Sequence, residues 1–164
     1  IEEILMRGII LDGYRNKPRF IAAILNGFMF GMLHLNSFQF FHTFIMGVVA
    51  SYIVFATNSI FAGITIHLIN NGLPLVINYL YPPNPNVGYA AKPDFLALGT
   101  FAIVGAFSIY LLINLLFRVN NIPIKEDRVY SQEKIFTLPL ILSIFIFIGF
   151  SVLLIISLKS FNPR

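Results

Sequence analysis

The pattern of apolar and polar positions divides the chain into six apolar segments separated by short polar turns. All but the first approach or exceed the roughly 20 residues that a helix needs to cross a bilayer. The first segment begins on two glutamates and is short, so we expect a helix that starts upstream and is cut here. The predicted helices cover residues of about 2–14, 18–36, 38–56, 59–80, 95–117 and 136–158.

Composition supports a membrane location for these helices. Hydrophobic residues make up 57% of the chain and charged residues only 11%, against about 25% charged residues in soluble domains. The absence of cysteine excludes thiol catalysis, disulfides and thiolate metal sites. We predict an all-α, polytopic integral membrane bundle in a single domain, residues 1–164, that forms the C-terminal part of a longer protein.

The distribution of basic residues predicts the orientation of the bundle. Most Lys and Arg residues fall in the segments 15–19 and 118–134, which alternation of the helices places on the same side. The opposite side carries Lys92, Lys159 and Arg164. By the positive-inside rule the first side is cytoplasmic, and we expect the bacterial plasma membrane. The net charge of +4 is explained in this way without a nucleic-acid partner.

Polar side chains at membrane depth are costly to bury, so each is a candidate functional residue. They concentrate on three of the predicted helices and lie roughly 11 to 21 Å from the cytoplasmic helix ends at about 1.5 Å per residue. The groups can therefore share one layer of the membrane. The candidates are Glu2, Glu3 and Arg7 on the first helix, His34 on the second, and His67 and Asn71 on the fourth.

Helical spacing separates the roles of these groups. Glu3 and Arg7 are four residues apart on one face, which favours an ion pair that braces the helix. Glu2 is rotated by about 100° and can face a cavity, where an apolar surrounding makes a carboxylate a stronger base than in water. His34 could share its proton, while His67 and Asn71, also four apart, could donate hydrogen bonds to an oxyanion.

Other interpretations of the same residues remain open at this point. His34 could be an interfacial histidine, and Asn71 could be an amide that packs helices together. The polar layer could also relay protons or bind an ion in a transporter. A catalytically inactive immunity or scaffold protein is a further possibility.

Three motifs in order resemble a known family. Glu2-Glu3-xxx-Arg7, Phe30-xxx-His34 and His67-xxx-Asn71 are similar to those of the CAAX-processing and bacteriocin-processing (CPBP, or Abi-type) intramembrane proteases. The resemblance implies an intramembrane endopeptidase, with Glu2 and His34 activating water and His67 and Asn71 forming the oxyanion site. Glu3, Arg7 and Phe30 would support them.

The resemblance also bears on cofactors and partners. A metal-free glutamate mechanism is favoured because the chain lacks the local ligand pair of a zinc-protease helix. Zinc held by Glu2, His34 and His67 is the alternative, as in a metalloendopeptidase. The implied partners are the lipid bilayer and a peptide or membrane-protein substrate, either prenylated or a bacteriocin or pheromone precursor.

Overall fold

A computed structural model describes residues 1–82, 94–126, 130, 134–135 and 137–161. These residues form six helices and, within the described ranges, no strand. The predicted all-α fold class is confirmed. Helix α1 covers residues 2–13, and the others are α2 (Arg19–Leu33), α3 (Ser37–Thr57), α4 (Ile60–Leu80), α5 (Phe95–Val119) and α6 (Leu138–Phe161).

The four helices α3 to α6 are each long and apolar enough to cross a membrane. Helix α2 is shorter than predicted, with 15 residues, because the chain turns sharply after His34. Leu35 adopts a left-handed conformation with φ of 49° and closes the helix by donating its N–H to the Met32 carbonyl at 3.0 Å. Lys92 and Arg164, which the sequence assigned to the side opposite the cytoplasm, lie outside the described residues.

The chain divides into two compact units. The first contains Ile1–Tyr52 and Glu126–Arg164, and therefore holds α1, α2, most of α3, and α6. The second, Ile53–Lys125, holds the last turn of α3 with α4 and α5. Within the first unit α6 packs on α2 and α3, where Phe147 lies 5.2 Å from the ring of Phe40. The single-domain organisation stays a prediction.

Two glycines let α2 and α3 approach at the backbone. A Cβ added to Gly47 would lie 2.7 Å from the Gly27 Cα, and one added to Gly27 would lie 2.8 Å from the Phe44 carbonyl oxygen. Gly31, one turn after Gly27, faces the ring of Phe40 in the same way. Small residues at this spacing are how membrane helices pack closely. The contact fixes the position of α2, which carries His34.

The N-terminus of α2 is capped by a residue that is distant in sequence. Its N-cap residue, Pro18, provides no side-chain cap. Glu126 supplies one instead, because its Oε2 accepts the Arg19 N–H at 2.8 Å and its Oε1 lies 3.3 Å from Arg19 Nε. A carboxylate here also complements the positive end of the helix dipole. Glu126 therefore anchors the first turn of α2.

We expect Gly47→Ala to destabilise the protein, because its methyl group would overlap the backbone of α2. Overpacking of this kind costs about 1–3 kcal/mol. Gly105→Ala is the matched control, since a Cβ at Gly105 meets nothing within 4 Å. Thermal unfolding in detergent should show a lower midpoint for Gly47→Ala and not for Gly105→Ala. Equal midpoints for the two variants would contradict the close α2–α3 contact.

Candidate active site

Helix α1 carries the two glutamates, and its middle part is π-helical. Over Ile4–Ile10 the backbone follows the i→i+5 hydrogen-bonding pattern, and the Leu11 N–H accordingly bonds to the Met6 carbonyl. Segments of this type are rare and are frequent at functional sites. The wider turn also distinguishes this helix from the regular α-helix expected from the sequence.

Glu3 and Arg7 form a buried ion pair. Arg7 Nη1 lies 2.7 Å from Glu3 Oε1, and the two side chains are only 1% and 7% exposed, respectively. Arg7 Nη2 also donates to the Gly47 carbonyl at 3.4 Å, and the guanidinium lies 4.5 Å from the centre of the Phe30 ring. These contacts offset part of the cost of burying both charges. The pair thus fastens α1 to α2 and α3.

The neighbouring Glu2 lies in a different environment. Its side chain is exposed, whereas that of Glu3 is buried. Its negative charge interacts favourably with Arg7, as the charge of Glu3 does. The adjacent carboxylates are therefore separated into a buried one that neutralises Arg7 and an exposed one that can meet solvent or substrate.

His34 caps the C-terminal end of α2 with a defined ring orientation. Its Nδ1 lies 2.9 Å from the Phe30 carbonyl oxygen, and the two rings pack edge to face at 4.9 Å. Since a carbonyl only accepts, Nδ1 carries the hydrogen in this contact and neutral His34 presents an unprotonated Nε2. Phe30 thus touches both Arg7 and His34, which links the ion pair to the histidine.

A second buried polar contact joins the same three helices. Asn26 is fully buried on α2. Its Nδ2 donates to the Met6 carbonyl of α1, and its Oδ1 lies 3.0 Å from the Ser51 hydroxyl of α3. The hydroxyl also lies 2.8 Å from the Gly47 carbonyl, so its hydrogen is shared between two acceptors.

Asn26 is a polar residue at membrane depth, but the sequence assigned no role to Asn26 or to Ser51. Asn26 precedes Phe30 by four residues, and Ser51 follows Gly47 by four, so each lies on the same face as a site neighbour. That spacing was the available signal.

Helix α4, in the second unit, carries the other two candidates. His67 is half-buried and Asn71 is exposed, one turn apart along the helix. Asn70 Nδ2 donates to Asn71 Oδ1 at 3.1 Å. This bond uses the oxygen of the Asn71 amide and none of its N–H groups.

Zinc coordination needs at least three protein ligands in a catalytic site. Among the described residues no group of three His, Cys, Asp or Glu side chains is arranged to hold a metal ion. The first unit offers Glu2 and His34, and the second offers His67. Neither unit by itself therefore provides the proposed zinc ligands.

Comparison with known families agrees with the motifs. A model of the Rce1-like family, described as type II CAAX prenyl endopeptidase Rce1-like, matches residues 1–73. The matched range includes all of the candidate residues on α1, α2 and α4, and it confirms the resemblance to the CAAX-processing proteases. No curated protein and no solved structure matches the chain.

We expect Glu3→Gln to destabilise the protein far more than Glu2→Gln. The first substitution leaves the Arg7 charge buried without its partner, which typically costs about 3–5 kcal/mol. The second changes an exposed side chain and should stay within about 0.5 kcal/mol. Unfolding of the two variants in detergent, followed by circular dichroism, measures the difference. Equal loss of stability would contradict the division between a buried brace and an exposed carboxylate.

Proposed function

We propose that this chain hydrolyses peptide bonds within the membrane by means of a water molecule activated by Glu2 and His34. The family match over residues 1–73 suggests an intramembrane CAAX protease activity, and the four apolar helices α3 to α6 agree with an integral membrane protein. The proposal adds residues and chemical roles to that activity.

The different burial of the two adjacent glutamates carries the proposal. A general base must reach solvent or substrate and must keep its negative charge available. Glu3 is held by Arg7 at 2.7 Å inside the protein, so its carboxylate is committed to the ion pair. Glu2 is exposed on the same helix turn, and we assign proton transfer to this more accessible carboxylate.

The packing of α1 on α2 supports a place for Glu2 near His34. Met6 lies beside Asn26, and Arg7 reaches Phe30. Consecutive helices in a hairpin are antiparallel, so residues before Met6 run alongside residues after Asn26. Glu2, four residues before Met6, therefore falls at the level of Phe30, whose ring touches that of His34.

The tautomer of His34 allows it to bind a water molecule together with Glu2. Its Nδ1 hydrogen is directed to the Phe30 carbonyl, so Nε2 can accept a hydrogen bond. A water between the two groups would give one hydrogen to Nε2 and the other to the Glu2 carboxylate. One of its two lone pairs would then point toward the carbonyl carbon of the substrate, which is the arrangement that general base catalysis requires.

His67 and Asn71 are proposed to stabilise the negative charge that forms on the substrate. Both can donate from one face of α4, and the bond from Asn70 engages the oxygen of the Asn71 amide and not its N–H groups. Two such donors stabilise a tetrahedral oxyanion in other hydrolases. In this mechanism the residues that activate water belong to α1 and α2, and the hydrogen-bond donors to the oxyanion belong to α4.

The reaction balances without a cofactor. Glu2 takes a proton from water while the water oxygen bonds to the scissile carbon, and the carbonyl oxygen becomes the oxyanion. The intermediate then collapses, the C–N bond breaks, and the proton held by Glu2 passes to the leaving amine. The products are a carboxylic acid and an amine, with Glu2 restored as a carboxylate.

The substrate class and the orientation belong to the same proposal. A prenylated protein or a bacteriocin or pheromone precursor would approach Glu2 from within the bacterial plasma membrane. The basic segments 15–19 and 118–134 would then lie in the cytoplasm. The accessible position of Glu2 on a helix surrounded by apolar side chains supports a membrane-embedded substrate.

We expect Glu2→Gln and His34→Ala to abolish cleavage while leaving the protein folded. Loss of a general base typically lowers kcat about 10²- to 10⁴-fold, and loss of an oxyanion donor by Asn71→Ala about 10²- to 10³-fold. The measurement is cleavage of peptides or of co-expressed membrane-protein substrates by the purified full-length protein.

Matched substitutions serve as controls. Asp12→Asn and His42→Ala change an exposed carboxylate and an exposed histidine that the proposed mechanism does not use, and both should cleave normally. Normal cleavage by Glu2→Gln and His34→Ala would rule out the mechanism. Proton-coupled flux in liposomes, without proteolysis, would instead favour a transporter.

The alternative zinc mechanism makes a separate prediction. With Glu2 as a base rather than a ligand, cleavage should continue after dialysis against a chelator, and bound zinc should be far below one ion per chain. Elemental analysis and activity before and after chelation provide the measurement. Stoichiometric zinc whose removal abolishes cleavage and whose return restores it would contradict the metal-free mechanism.

A further inference from the structure

The fully buried amide of Asn26 lies outside the three family motifs, yet it contacts the helix that carries Glu2. It reaches Met6 on α1 and Ser51 on α3, and both bonds lie within the first unit. The bond to α1 is to the backbone, so it depends on the shape of the helix and not on the side chain at position 6.

The Met6 carbonyl, which accepts the hydrogen bond from Asn26, belongs to the π-helical segment. In a regular α-helix the Met6 carbonyl would accept the Ile10 N–H, but here it accepts the Leu11 N–H one residue later. The Asn26 amide bonds to the same oxygen, which has two lone pairs. Side chains that insert into a helical ladder are a known cause of such local widening.

Because of its position, this bond can affect the orientation of Glu2 and Glu3 on α1. Glu2 and Glu3 lie one turn before Met6, at the end of α1. If the Met6 carbonyl accepted the Ile10 N–H as in an α-helix, the residues up to Met6 would turn relative to the rest of α1 by roughly one residue's rotation, about 100°. Glu2 would then point in a different direction, and Glu3 would lose its alignment with Arg7.

We propose that Asn26 is a positioning residue for the reaction: its bond to the Met6 carbonyl holds the π-helical segment and thereby sets the direction of Glu2. The inference rests on the proposed function for its kinetic consequence. Its structural part, the hold on α1, stands independently of any catalysis.

The geometric test uses the absence of cysteine from the chain. Single variants Leu5→Cys and Met6→Cys place a thiol at an exposed and at a buried position of α1, respectively, and each keeps the backbone carbonyls. With Asn26 present, a maleimide should label position 5 and spare position 6. When Asn26→Leu is combined with Met6→Cys, position 6 should become labelled because the segment turns. An unchanged pattern would overturn the proposal.

Two further variants separate the bond to Met6 from burial of a polar group. Ser51→Ala removes the contact to Asn26 Oδ1 but keeps the bond to Met6, so position 6 should stay protected. Asn26→Asp keeps the size of the side chain, and only its protonated form can donate to the carbonyl. Labelling of position 6 relative to position 5, a ratio that removes the pH dependence of the thiol–maleimide reaction itself, should therefore rise with pH in Asn26→Asp alone. A pH-independent pattern would count against the proposal, even if Asn26→Leu failed to fold.

The kinetic test compares kcat and KM for peptide cleavage, per folded molecule. Misplacement of a catalytic group by about 1 Å costs on the order of 100-fold, so Asn26→Leu should lower kcat strongly and leave KM nearly unchanged. An unchanged kcat would contradict a positioning role. If the unsubstituted protein cleaves nothing, the proposed function fails, whereas the labelling pattern still decides whether Asn26 holds α1.

Discussion

The buried ion pair between Glu3 and Arg7 is the constraint on which the first unit depends. Two charges inside an apolar bundle are tolerated only when each is closely partnered. Here Arg7 contacts a carboxylate on its own helix, a carbonyl on α3 and an aromatic ring on α2. The contacts of one guanidinium therefore join three helices. The helix that carries Glu2 is fastened to α2 and α3 as a result.

The surrounding backbone is shaped to allow these contacts. Gly27 and Gly47 bring α2 and α3 close enough for the Gly47 carbonyl to receive Arg7. Asn26 occupies the Met6 carbonyl at the widened part of α1. At the other end of α2, the left-handed Leu35 stops the helix directly after His34. A leucine in this conformation costs about 1–2 kcal/mol, which the packing around it must supply.

Spacing along the sequence was enough to predict the helical fold and the Glu3–Arg7 pairing. It did not predict the π-helical segment, because a seven-residue stretch fits both helical periods about equally well. The end of α2 was placed too late because no Gly or Pro marks it. The Glu126 cap joins residues 107 positions apart, and no local pattern indicates such a contact. The cooperation of His67 and Asn71 with the first unit stays a prediction.

The central claim is that Glu3 and Arg7 act as a structural brace while Glu2 performs the chemistry. Replacing both members of a buried ion pair by uncharged residues of similar size is often tolerated, whereas removing one is not. The most direct test is the stability and cleavage rate of the double variant Glu3→Gln/Arg7→Met beside each single variant. The account predicts that the double variant is more stable than either single one and retains measurable cleavage. A double variant that folds well but is as inactive as Glu2→Gln would contradict it.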